Sequence, residues 1–109
     1  VNITPTRAAV SAALLALAGC SGDDGAAETA VTRGERVYKN VCLACHAADP
    51  SQDGTLGPAI AGSSRELIEA RVVHGSYPEG YTPKRNSQVM PKLPHLANSI
   101  DDLAAYLNQ

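Results

Sequence analysis

Cys42, Cys45 and His46, in the stretch VYKNVCLACHAADP, constrain this chain more than any other feature, because two thiols and an imidazole fall within five consecutive residues. A redox dithiol needs the C-x-x-C spacing, since two residues between cysteines at a helix end allow a reversible disulfide, but it leaves the adjoining histidine without a role. A structural zinc site wants four thiolate or imidazole ligands, and the remaining histidines, His74 and His95, supply no second matching pair. A disulfide between Cys42 and Cys45 would close so small a loop that it contributes little.

A fourth chemistry uses every member of the cluster: the thiols add to the two vinyl groups of a haem, and the next residue, His46, ligates the iron from one face. On this reading one haem c is covalently attached per chain. Composition supplies a motive. The chain has 109 residues with no Phe, no Trp and four Tyr, and a small domain so poor in aromatics hides only a modest share of its surface. A large planar cofactor would complete such a core. The formal net charge of -2 argues against nucleic acid as a partner, because that binding needs a concentrated basic surface.

The third cysteine has a different setting. Arg7 precedes an apolar run, residues 8–19, which has the basic-then-apolar order of an export signal. The run is shorter than the roughly 20 residues that span a bilayer. Its end, Leu17-Ala18-Gly19-Cys20, resembles the lipobox of bacterial lipoproteins, in which the cysteine is acylated and becomes the new N-terminus. Acyl chains contribute about 0.8 kcal/mol per buried CH₂, and stable anchoring takes more than one. An ordinary cleaved signal and an uncleaved anchor are the competing readings. The expected organisation is an export signal over residues 1–19, a flexible acidic tether over residues 20–30 and a folded domain over residues 31–109. The expected location is the periplasmic side of a bacterial membrane, with the lipid on Cys20.

Three places carry a Ser or Thr followed three residues later by an acid: Thr32 with Glu35, Ser63 with Glu66 and Ser99 with Asp102. Each opens an amphipathic run. Val37, Val41 and Ala44 continue the first at helical spacing; Leu67, Ile68 and Val72 continue the second as far as Gly75, a C-cap; Ile100, Leu103, Ala104 and Leu107 form the third. The intervening loops are long, rich in Pro and Gly, and without strand alternation. Loops of that length in so small a domain are expected to wrap something. The spacing predicts an all-α domain of three main helices around one haem, with two functional loops.

From about Val31 to Gln109 the chain resembles the class I c-type cytochromes, small helical monohaem electron carriers. CLACH carries the resemblance, together with Gly34, Tyr38 and Tyr106 at positions where that family crosses its terminal helices. Leu56-Gly57-Pro58 is similar to the family's loop on the histidine side of the haem. The resemblance implies that the Pro58 carbonyl accepts a bond from His46 Nδ1, orienting the ring and strengthening it as a ligand. It also implies a distal methionine followed by proline, and Met90-Pro91 contains the chain's single methionine. His/Met ligation raises the reduction potential relative to two nitrogen ligands. His95 is second choice for that ligand, and His74 reads as a helix-end residue meeting the dipole.

The implied function is one-electron transfer between redox protein partners, a donor and an acceptor, with Lys84, Arg85 and Lys92 near an exposed haem edge where they could steer an acidic partner. With both iron positions occupied, no enzymatic activity and no small-molecule substrate is expected. The alternatives are a haem subunit of a larger oxidoreductase, and a haem sensor or enzyme from whose iron Met90 dissociates.

Overall fold

A computed structural model describes residues 27–109; the expected export signal, Cys20 and the first part of the expected tether lie outside the described residues. Helix α1 runs Ala30–Val41 and continues as a single 3₁₀ turn, Cys42–Ala44. Helix α2, Arg65–Glu69, widens into a π-helical turn, Ala70–His74, and stops at Gly75, whose φ of 63° is the left-handed cap. A 3₁₀ segment, Pro94–Ser99, leads into helix α3, Ile100–Leu107. The described residues contain no strand, and none of their helices is long and apolar enough to cross a membrane.

The helices start where local hydrogen bonding is best, which moves two of the three expected caps. Thr29, not Thr32, caps α1: its hydroxyl accepts from the Thr32 N–H at 3.1 Å. Glu35, the acid expected to complete a capping box, instead pairs with Lys39 at 2.6 Å one turn on. Ser64, not Ser63, caps α2, accepting from the Leu67 N–H at 3.1 Å, because the Ser63 hydroxyl is committed to the Ile60 carbonyl at 2.6 Å. Ser99 does stand before α3, but its side chain makes no capping bond. The preceding 3₁₀ segment already delivers the chain into the helix.

Helices α1 and α3 cross at Gly34. A Cβ there would overlap the backbone carbonyl of Asp102 and come within 2.8 Å of the Tyr106 Cβ, so only glycine lets the two backbones approach this closely. Tyr38 and Tyr106 fill the crossing with ring centroids 5.4 Å apart and planes tilted by 50°. Arg33 grips Asp102 through two bonds of 2.9 and 2.8 Å. The buried core is small: Tyr38, Tyr106 and six aliphatic side chains, drawn from α1, α2 with its π turn, and the 3₁₀ and α segments that end the chain. Four of the six aliphatics, Ile68, Val72, Leu103 and Leu107, also form the wall of a cleft. The core therefore does not close on itself.

Candidate functional site

The cleft lies between two loops, residues 45–63 on one side and the strap of residues 76–93 on the other, with α2 and α3 as its floor. About 970 Å³ of non-atom space lies within it and at its mouth, open solvent included. Cys42, Cys45, His46 and Met90 all line it. His74 and His95 are exposed and do not.

On the first wall the 3₁₀ turn folds the cluster tightly, with the Cys45 and His46 N–H groups both donating to the Cys42 carbonyl, at 3.2 and 2.9 Å. The Cys45 carbonyl in turn accepts from Leu56 and Gly57, at 3.2 and 3.0 Å, which lays the Leu56–Pro58 loop against the turn. Gly57 is buried beneath the imidazole: a Cβ on it would stand 2.5 Å from His46 Nδ1 and Cε1. His46 Nδ1 lies 2.9 Å from the Pro58 carbonyl oxygen. A carbonyl cannot donate, so Nδ1 carries a proton, and in the neutral ring that leaves Nε2 as the nitrogen able to ligate a metal. Behind the turn, buried Tyr38 donates its hydroxyl to the Ala47 carbonyl at 2.5 Å, and burial holds its phenol up at about 12.

The two thiols are free and half-buried, and burial pushes Cys42 up to about 11. A reactive redox dithiol needs the opposite shift, a thiolate stabilised near neutral pH, so the setting of Cys42 disfavours that chemistry. Among the described residues no group of three or more His, Cys, Asp or Glu is placed to hold a metal ion. Cys42, Cys45 and His46 thus do not form the closed ligand set of a structural zinc site.

The opposite wall has a different character. Met90 is half-buried and packs against the core. The charged side chains that line the cleft are Arg71, Lys84 and Arg85, with no carboxylate among the described residues that do so. Arg71 sits 4.2 Å over the ring of Tyr77, which stacks on Tyr81 at 5.5 Å. This aromatic pair was not singled out by the sequence reading; two tyrosines four residues apart in a Pro- and Gly-rich loop, SYPEGY, were the available signal.

These residues fit a haem. The space is lined by the aliphatic side chains of Ile68, Val72, Leu103 and Leu107, Cys42, Cys45 and His46 share that lining, and its cations suit a group that bears carboxylates. No curated protein and no solved structure matches the chain. Residues 29–107 match the family model described as cytochrome C oxidase, cbb3-type, subunit III. That match spans α1 to the end of α3, and with the C-x-x-C-H turn opening on an apolar cleft it makes the chain a member of this family: a c-type cytochrome domain for haem-based electron transfer.

Proposed function

We propose that the protein is a one-electron carrier of the class I type, with one haem c held covalently by Cys42 and Cys45 and its iron ligated by His46 and Met90. The observation that carries this reading is that a His46 ring fixed by Pro58 and Gly57 shares one apolar cleft with both thiols and the single methionine. When bound, the group supplies an iron that gains and loses one electron. The chain's own part is to hold. Gly57 and the Pro58 carbonyl orient the imidazole, Ile68, Val72, Leu103 and Leu107 keep water from one side of the cleft, and Met90 offers a soft sulfur that favours the reduced metal. No catalysis on a substrate is part of this reading.

Replacing Met90 by Ala in the haem-loaded protein should lower the midpoint potential and let carbon monoxide bind the reduced form rapidly. An unchanged spectrum and potential would exclude Met90 as the ligand. Rapid stoichiometric carbon monoxide binding by the unaltered protein would favour the sensor or enzyme reading instead.

The family match supports a second reading of the same chemistry, a haem subunit seated in an oxidase. Co-purification with larger subunits after detergent extraction would separate it from a free shuttle. Export and acylation of Cys20 would place either form on the periplasmic side of a membrane, and mass spectrometry of the intact protein reads lipid on Cys20 and haem on Cys42 and Cys45 together. As for steering by a positive rim, the cations of the strap are not all free. Arg85 faces Asp53, while Lys84, bonded only to a neutral carbonyl, and Lys92 keep their charge for meeting an acidic redox partner.

A further inference from the structure

The part of the strap that carries Met90, residues 84–93, is tied at its two ends and, among the described residues, by no hydrogen bond between. Past Met90, the Leu93 N–H donates to the Val72 carbonyl at 2.7 Å. Val72 belongs to the last turn before Gly75, where carbonyls lack partners within their own helix, and the strap takes one of them up. Before Met90, Lys84 Nζ donates to the Ala59 carbonyl at 2.7 Å, and Arg85 stands 3.6 Å from Asp53. Among the described residues, residues 86–92 make no hydrogen bond.

Both of the earlier ties land on the loop that orients His46. Asp53 Oδ1 accepts from the Ala59 N–H at 2.8 Å while facing Arg85. Two adjacent peptides are therefore gripped at successive groups: in Pro58–Ala59 the carbonyl by His46 Nδ1 and the N–H by Asp53, and in Ala59–Ile60 the Ala59 carbonyl by Lys84. Two loops that offer opposite sides of one cleft are thus anchored on adjacent peptides that meet at Ala59.

We propose that Lys84 and Asp53 are positioning residues, a clamp that ties the Met90 strap to the His46 loop and sets how readily Met90 leaves the iron. This rests on His46/Met90 ligation as proposed above. Lys84 is exposed, so water competes for its bond and the clamp opens and recloses rather than locking. Opening frees the strap from residue 84 to Leu93 and loosens Met90 without disturbing the Leu93 tie.

The test uses the full haem-loaded chain with two readouts. Imidazole binding to the ferric protein reads departure of Met90. Thermolysin cleavage before Val89, which is 61% exposed, reads freedom of the strap whatever Met90 binds. Lys84→Met keeps the stem and removes the donor; it should raise both imidazole affinity and cleavage rate by about three- to tenfold, the population change expected from one hydrogen bond of ordinary net strength. Lys84→Arg, which can still donate, should return both toward the parent values, and Asp53→Asn, which keeps an acceptor for Ala59 but loses the charge facing Arg85, should fall between. Parent-like values of both readouts in Lys84→Met, or an equal rise in Lys84→Arg, would overturn the clamp. Faster cleavage with unchanged imidazole affinity would overturn its positioning role; if Met90→Ala then also leaves the spectrum unaltered, the ligation reading has failed rather than the clamp.

Discussion

The two walls of the cleft are built by opposite means. On the His46 side, backbone groups bond to backbone groups within a short stretch: Cys42, Cys45, Gly54 and Gly57 are linked at 2.8 to 3.2 Å, and a glycine is pressed under the ring it supports. On the Met90 side, residues 86–92 go without a hydrogen bond among the described residues, and the stretch from Lys84 to Leu93 is held by one backbone tie and by long side chains reaching over the gap. The first wall orients the His46 ring through its own backbone. The second sets Met90 by where the stretch around it is fastened, so that residue can be adjusted or released at low cost. Under the proposed His46/Met90 ligation, this division would keep one ligand constant and leave the potential and the access of outside molecules to the other.

The sharpest way to break the comparison is to crowd the first wall. Gly57→Ala places a methyl 2.5 Å from the imidazole, with the ring caught between it and the Pro58 carbonyl. Overpacking of this kind should cost about 1–3 kcal/mol of stability and alter the ferric absorption spectrum. A matching change on the other wall, Val89→Ser, alters a side chain that is 61% exposed and should move stability by less than about 0.5 kcal/mol. Urea unfolding of both variants, followed by helix content and by the haem band, reads the two outcomes. Equal losses would mean that the strap is as tightly built as the loop opposite it.

The same contrast governs what could be read from the residues alone. Cys42, Cys45 and His46 are legible because their chemistry is written in consecutive positions and one 3₁₀ turn brings them together. The three helices are legible from their apolar spacing and from Gly75, but their first residues are not. Thr32 lies one turn inside α1, where its N–H takes the Thr29 hydroxyl, and Ser64 caps α2 because the Ile60 carbonyl claims Ser63. The widening of α2 into a π turn has no sequence mark of its own here. Least legible of all is the bond from Lys84 to Ala59, because it joins loops 25 residues apart that meet only once α2 and α3 have packed. Read as a string, Lys84 and Arg85 look like a solvated basic pair.

A smaller effect comes from behind the first wall. Tyr38→Phe removes the hydroxyl that satisfies the Ala47 carbonyl next to His46, and an unsatisfied partly buried acceptor costs about 1–2 kcal/mol. The phenol also sets a pH limit. Its folded-state value, about 12, lies above the ordinary value of 10.0 because burial penalises the phenolate. A raised value contributes stability that is complete below the ordinary one and is lost as pH climbs to the folded one, here from about pH 10 to about pH 12. Unfolding followed across that window should show a falling stability that flattens in Tyr38→Phe. A Phe variant with the same alkaline slope would assign the loss to other groups.

The smallest effect belongs to neither wall and checks that the comparison is about the cleft. Asp102 and Arg33 fasten the crossing of α1 and α3, and neither lines the cleft. The guanidinium beside it holds the Asp102 carboxyl below the ordinary carboxylate value, so its contribution is present above that value and disappears as pH falls through the lowered one. Stability should decline on acidification below about pH 4, with part of the decline absent in Asp102→Asn. Because the pair is exposed to solvent, salt should shrink the effect. Imidazole affinity of the ferric protein should stay at the parent value in Asp102→Asn even where stability has dropped. A joint change would mean that the helix crossing governs the strap, and that the independence of the two walls from the rest of the fold is only partial.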